Sequence, residues 1–134
     1  MTYAEAITAA LQLIGVLAYH ESADAEHGAL GLATLNAMMT GWESDNIRIG
    51  YFPTSTLTDA MNIAPKYERA VIANLAIDLC PSYERAPSLA VVRMADTGYQ
   101  SIVRDSVYEN RVESVLTDQP IGDGSYGSSR ILTG

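Results

Sequence analysis

Val71-Ile72-Ala73-Asn74-Leu75-Ala76-Ile77-Asp78-Leu79 is the densest apolar stretch in the chain. Val71, Ile72, Leu75, Ala76 and Leu79 recur at spacings of three and four, the period of a helix with one buried face. Pro65 suits the first turn of that helix, where an amide hydrogen has no partner to lose, and Pro81 stops it. About forty residues earlier, Leu35-Asn36-Ala37-Met38-Met39 followed by Trp42 repeats the arrangement, again with one amide set in an apolar helical stripe. A buried amide must pair its donors and its acceptor. Asn36 and Asn74 are therefore assigned structural roles, fixing register against loop backbone or a facing helix. Trp42 and Leu75 are the core residues beside them.

Working outward, Thr2 and Glu5 read as a capping box. Ile7, Leu11, Ile14 and Ala18 then predict a first helix over 3–19, with Gly15 inside it as a point of close approach. Ser22 or Asp24 can cap a second helix over about 24–43, striped by Leu32, Leu35, Met39 and Trp42. Ile47, Ile49 and Tyr51 alternate like a short strand, and a second near 55–58 could close a hairpin. Projecting between two long helices, this stretch suits a contact device, and an inert surface loop fits it equally well. Pro87 and Ser88 open a fourth helix that turns Leu89, Val92, Ala95, Tyr99, Ile102 and Val103 inward, with Gly98 as a bend. From about 106 the helical pattern fades into a segment rich in glycine and serine. Such a segment cannot bury enough apolar area to offset its ordering entropy. Ile121, Tyr126, Ile131 and Leu132 are spaced along it like anchors, and with Arg130 they are the candidate partner-binding residues. The expectation is mainly α: a four-helix domain over 1–105 with a short β-hairpin or extended loop between helices 2 and 3. An extended C-terminal arm follows over 106–134.

The 134 residues are 48% hydrophobic and 18% charged, below the roughly 25% usual for soluble chains. That deficit fits surface covered in an assembly, or simply an alanine-rich helical domain. Net charge is −8, Lys66 is the single lysine, and the seven arginines are scattered singly along the sequence. A phosphate-binding patch needs clustered cations, so DNA is expected to pass acidic walls without sticking. Cys80 stands alone between Leu79 and Pro81 and reads as a small buried hydrophobe in a chain folded in a reducing compartment. His20 and His27 have no third ligand at a plausible spacing, so no metal and no cofactor is expected. No run of ~18 apolar residues suggests a membrane span, and no charged segment before an apolar stretch suggests a leader. Glu21, Glu26, Glu43 and Asp45 all fall at helix ends or turns rather than in a desolvated pair of the kind glycoside hydrolysis needs. Ser128 and Ser129 with His27 form no triad signature. No catalytic residue is assigned.

Taken together, several phrases resemble the head–tail adaptor family of tailed bacteriophages, whose members are also called tail accessory or packaged-DNA stabilisation proteins. They are Ala10-Leu11-Gln12-Leu13-Ile14-Gly15-Val16, the run from Leu32 to Trp42, and Ile47-Arg48-Ile49. Pro65-Lys66-Tyr67-Glu68-Arg69-Ala70 leading into Asn74-Leu75-Ala76 follows, then Pro81-Ser82-Tyr83 and Pro87-Ser88. The resemblance covers about residues 4–105 and is carried to the tail only by position. It implies a virion protein, made in the host cytoplasm, that forms a ring of twelve copies under the portal at the head–tail junction. Its implied partners are the portal protein, a downstream tail or nozzle protein and other copies of itself. Packaged DNA would be retained, passing through the channel without specific binding, and C-terminal arms would reach onto the portal. Some members of the family are credited with murein hydrolysis, so a peptidoglycan-degrading virion enzyme is one alternative. A small helical binding module is the other.

Overall fold

A computed structural model describes residues 1–118, with side chains through Glu109. In chain order it comprises α1 (Tyr3–Leu13), α2 (Ala25–Ser44), α3 (Pro65–Leu79), a 3₁₀ turn (Cys80–Tyr83) and α4 (Leu89–Asp118). The mainly α class is as expected. Helix α3 packs against α1, α2 and α4 and is the common wall of the core.

The capping box at the start of α1 forms. The Glu5 amide donates to Thr2 Oγ1 at 3.2 Å, and the Thr2 amide donates to Glu5 Oε2 at 2.7 Å. The Thr2 amide, and then its hydroxyl, hold the Glu5 carboxyl below its usual range. The helix stops at Leu13, not at 19. Gly15 adopts φ +77°, a left-handed conformation in which a side chain is strained, and so it terminates the helix. Ile14 stays buried beside it, so the apolar period outlasts the helix by one residue. Gln12 Nε2 then donates to the carbonyls of Ala18, Tyr19 and Glu21 at 3.3, 3.1 and 3.0 Å, tying the connection to α1.

Helix α2 is capped by Asp24, which accepts from the His27 amide at 2.9 Å. Leu32, Leu35, Met39 and Trp42 are buried as one stripe. Gly31 lies directly against the Ile7 side chain, leaving no room for a Cβ.

Among the described residues, 45–64 form no strand, and the hairpin option is set aside in favour of the extended loop. The alternation of Ile47, Ile49 and Tyr51 is contact with the core and involves no partner strand. The loop lies across the N-terminus of α1, making one isolated antiparallel bridge between Thr2 and Ala60. Tyr3 and Ala4 amides, which have no partner within their own helix, donate to Asp59 and Leu57 carbonyls at 3.1 and 2.9 Å. Met61 returns an amide bond to the Met1 carbonyl at 2.9 Å. Ile47 points into the core while Ile49 and Tyr51 are half-buried against it.

Helix α3 buries Tyr67, Ala70, Val71, Ala73, Leu75, Ala76 and Leu79. Cys80 follows at 4% exposure, its thiol donating to the Ala76 carbonyl at 3.3 Å, and burial pushes that thiol up. Helix α4 differs from expectation in two ways. It continues to Asp118, well past 106, and its buried stripe runs Val91, Ala95, Ile102 and Ser106 at helical spacing. That register leaves Leu89 and Val92 exposed, where the sequence reading had turned them inward. Gly98, expected as a bend, is the point where α4 meets α3. A Cβ there would sit 2.5 Å from the Ala70 Cβ and 2.9 Å from its Cα.

Candidate functional site

The two asparagines mark different joints. Asn36 Nδ2 donates to the Thr54 carbonyl at 3.0 Å, and its Oδ1 accepts from the Tyr51 hydroxyl. Tyr3 continues the chain of bonds, donating to the Phe52 carbonyl at 2.5 Å with its ring edge-on to Tyr51 at 5.8 Å. Burial pushes both hydroxyls up, so they stay protonated donors. This cluster clamps the 45–64 loop while leaving Phe52 64% exposed. Asn74 Nδ2 instead donates to Ala70 and Ala95 carbonyls at 2.8 and 3.0 Å, joining α3 to α4 directly. Leu75 is fully buried one residue further on, and Trp42 packs edge-on to Tyr99 of α4 at 5.2 Å between centroids.

Along the outer side of the α3–α4 joint runs an open groove of about 750 Å³. Lys66 and Arg69 of α3 and Arg93 and Arg104 of α4 line it, over a floor that includes Ala70, Ala90, Met94, Gly98 and Ile102. The arginines that are scattered singly in sequence are thus partly gathered in space: four of the chain's eight basic residues border one surface. Sequence reading missed this, although the spacings Lys66/Arg69 and Arg93/Arg104 put each pair near one face of its helix. The groove has one carboxylate, Asp105, which accepts from the Tyr67 hydroxyl at 2.9 Å and pairs with Lys66 Nζ at 3.3 Å. The Tyr67 bond, then Lys66, hold Asp105 below the usual carboxylate range. Lys66 also lies over the Tyr67 ring at 4.8 Å. Among the described residues, Arg69, Arg93 and Arg104 have no carboxylate partner within ion-pair distance.

The remaining candidates divide by position. Ile121, Tyr126, Arg130, Ile131 and Leu132 lie outside the described residues. His27 bonds the Tyr83 hydroxyl through Nδ1 at 2.7 Å, connecting the start of α2 to the 3₁₀ turn. Several acidic groups serve the backbone: Glu21 accepts from the Ala18 amide at 2.6 Å, alongside the caps at Glu5 and Asp24. Among the described residues no group of three His, Cys, Asp or Glu side chains could hold a metal ion. No described helix is long and apolar enough to cross a membrane. Val107 and Tyr108 are 59% and 69% exposed near the end of the side-chain description.

Residues 1–129 match the family described as the P22 tail accessory factor, and the chain belongs to that family of phage tail proteins. No curated protein matches the chain.

Proposed function

We propose that this protein is a structural virion component that joins the phage head to its tail. Copies of the chain, twelve by family resemblance, line a ring beneath the portal protein. They retain packaged DNA in the head and offer the platform on which the downstream tail or nozzle protein sits. Family membership over residues 1–129 is the observation that carries this reading. The acidic balance of −8 suits a channel wall that DNA passes without adhering. Helix caps at Glu5 and Asp24 and a backbone bond at Glu21 give those carboxylates structural work instead of the paired roles of a hydrolase.

Residues 119–134 act in this reading as the arm that grips the portal, with Tyr126, Ile131 and Leu132 among its contacts. Repulsion between chains of charge −8 keeps the isolated protein monomeric or weakly associated. Sedimentation velocity with and without the portal tests both statements. The full chain should sediment as a small species alone and shift onto the portal when mixed. A chain lacking 119–134 should keep its helical circular dichroism and lose that shift. Stable high-order rings without portal, or undiminished portal binding by the truncated chain, would overturn the proposal.

A further inference from the structure

We infer that the α3–α4 groove receives the acidic corner at residues 21–26 of a second copy of this chain, so that copies join head to tail. The inference rests on the reading that copies assemble side by side, and it names the surface through which they touch.

Charge is segregated along the chain. Residues 1–47 contain six carboxylates, Glu5, Glu21, Asp24, Glu26, Glu43 and Asp45, and no lysine or arginine. All six are exposed. Three of them fall within the six residues 21–26, at the corner between α1 and α2. Across the fold, Lys66, Arg69, Arg93 and Arg104 border the groove against the single carboxylate of Asp105, so that among the described lining residues positive charge exceeds negative by three. Three carboxylates facing that excess of three cations is a complementary match. Guanidinium groups are well suited to it, since their forked donors pair carboxylates two bonds at a time. The apolar floor strengthens such pairs by displacing water.

Other occupants fit less well. The chain's own residues 119–134 carry one acid, Asp123, and one base, Arg130, so they bring no net charge to a cationic groove. The chain's own acidic corner is fixed elsewhere, with the Ala23 amide donating to Thr8 Oγ1 of α1 at 3.1 Å. A nucleic-acid phosphate backbone would meet an excess of three cations on a chain of charge −8, well short of the 6–10 phosphate contacts seen in salt-sensitive DNA binding. Groove and corner are different surfaces of one chain, so the contact is heterologous and repeats from copy to copy. Such contacts close into rings when the rotation allows.

Because Lys66 is the only lysine, zero-length carbodiimide coupling in an Asp105→Asn chain, which lacks the carboxylate that Lys66 pairs within its own chain, reads this contact directly. Concentrated protein at low salt should give a covalent dimer in which Lys66 of one copy is joined to Glu21, Asp24 or Glu26 of another. Arg69→Glu combined with Arg93→Glu, at exposed positions, should cut the dimer yield roughly tenfold while helical circular dichroism is unchanged. Mixing that variant with Glu21→Arg/Glu26→Arg chains should restore it. No dimer, a dimer through other carboxylates, or a yield indifferent to the reversals would overturn the inference. So would a duplex-DNA gel shift that Arg69→Glu/Arg93→Glu abolishes, which would make the groove a phosphate site. The portal separates the two readings. If the wild-type chain and the double variant load the portal equally, the groove contact falls and the virion role stands. If the wild-type chain ignores the portal yet the Asp105→Asn chain couples through Lys66, the reverse holds.

Discussion

The α3–α4 pair and the α1–α2 pair solve one packing problem with opposite polar chemistry. Each contains a glycine pressed against a neighbouring helix, Gly98 on Ala70 and Gly31 on Ile7. Each carries one asparagine that satisfies backbone carbonyl away from its own helix, Ala95 for Asn74 and Thr54 for Asn36. Yet Asn74 links helix to helix, while Asn36 holds a loop. The first pair borders a cationic groove, and the second belongs to a stretch of 47 residues without lysine or arginine. The difference separates frame from display: α3 and α4 hold the geometry, and α1 and α2 present a loop and an acidic face.

The largest effect should come where the pairs share a wall. Leu75 is fully buried on α3, and Leu75→Ala should cost ~2–5 kcal/mol through lost contacts and the cavity left behind. Urea denaturation with an unchanged midpoint would put Leu75 outside the core and break the description of α3. Gly98→Val should cost ~1–3 kcal/mol, because its Cβ would collide with the Ala70 backbone rather than with a movable side-chain tip. Gly41 is the control. A Cβ there meets nothing within 4 Å, so Gly41→Ala should raise stability by up to ~1 kcal/mol through helix propensity alone.

Asn74→Ala and Asn36→Ala compare the two joints directly. Removing Asn74 leaves the Ala95 carbonyl without its partner between two fixed helices, at ~1–3 kcal/mol. Removing Asn36 should cost less, ~0.5–1.5 kcal/mol, because the Thr54 carbonyl sits in a loop that can turn to water. Equal midpoints for the two variants would erase the distinction between frame and display.

The smallest effect is on pH. Glu5 and Asp105 are both held below the usual carboxylate range in the fold, the first by the capping box and the second by Tyr67 and Lys66. Groups lowered on folding stabilise fully above their unfolded values, about 4, and lose that contribution as pH falls through the folded ones. The thermal midpoint should therefore decline on acidification below that range. Asp105→Asn should flatten the α3–α4 part of the decline, and Glu5→Gln the α1 part.

How much of this was legible in the sequence depended on whether a signal was local. The core of α3, the cap at Thr2 and Glu5, and the stripe of α2 were readable because period and cap chemistry lie within a few residues. Gly15 was placed inside a helix because the apolar period runs on through Ile14, and only its left-handed backbone reveals a stop. Ile47, Ile49 and Tyr51 imitated a strand because alternate residues of the loop rest on the core, a contact that needs no partner strand. In α4 the inward positions Ala95, Tyr99, Ile102 and Val103 were legible, and only the first turn was misplaced, on Leu89 and Val92 rather than Val91. The groove was invisible because Lys66 and Arg93 lie 27 positions apart and meet only when Ala70 and Gly98 bring their helices together.

Electron microscopy of this protein mixed with its phage's portal protein tests the head–tail role most directly. Class averages should show a ring of density capping one end of the portal, with twelve copies of the chain, and the same protein imaged alone should show none. A portal left bare at saturating protein, or rings formed equally well without it, would contradict the account.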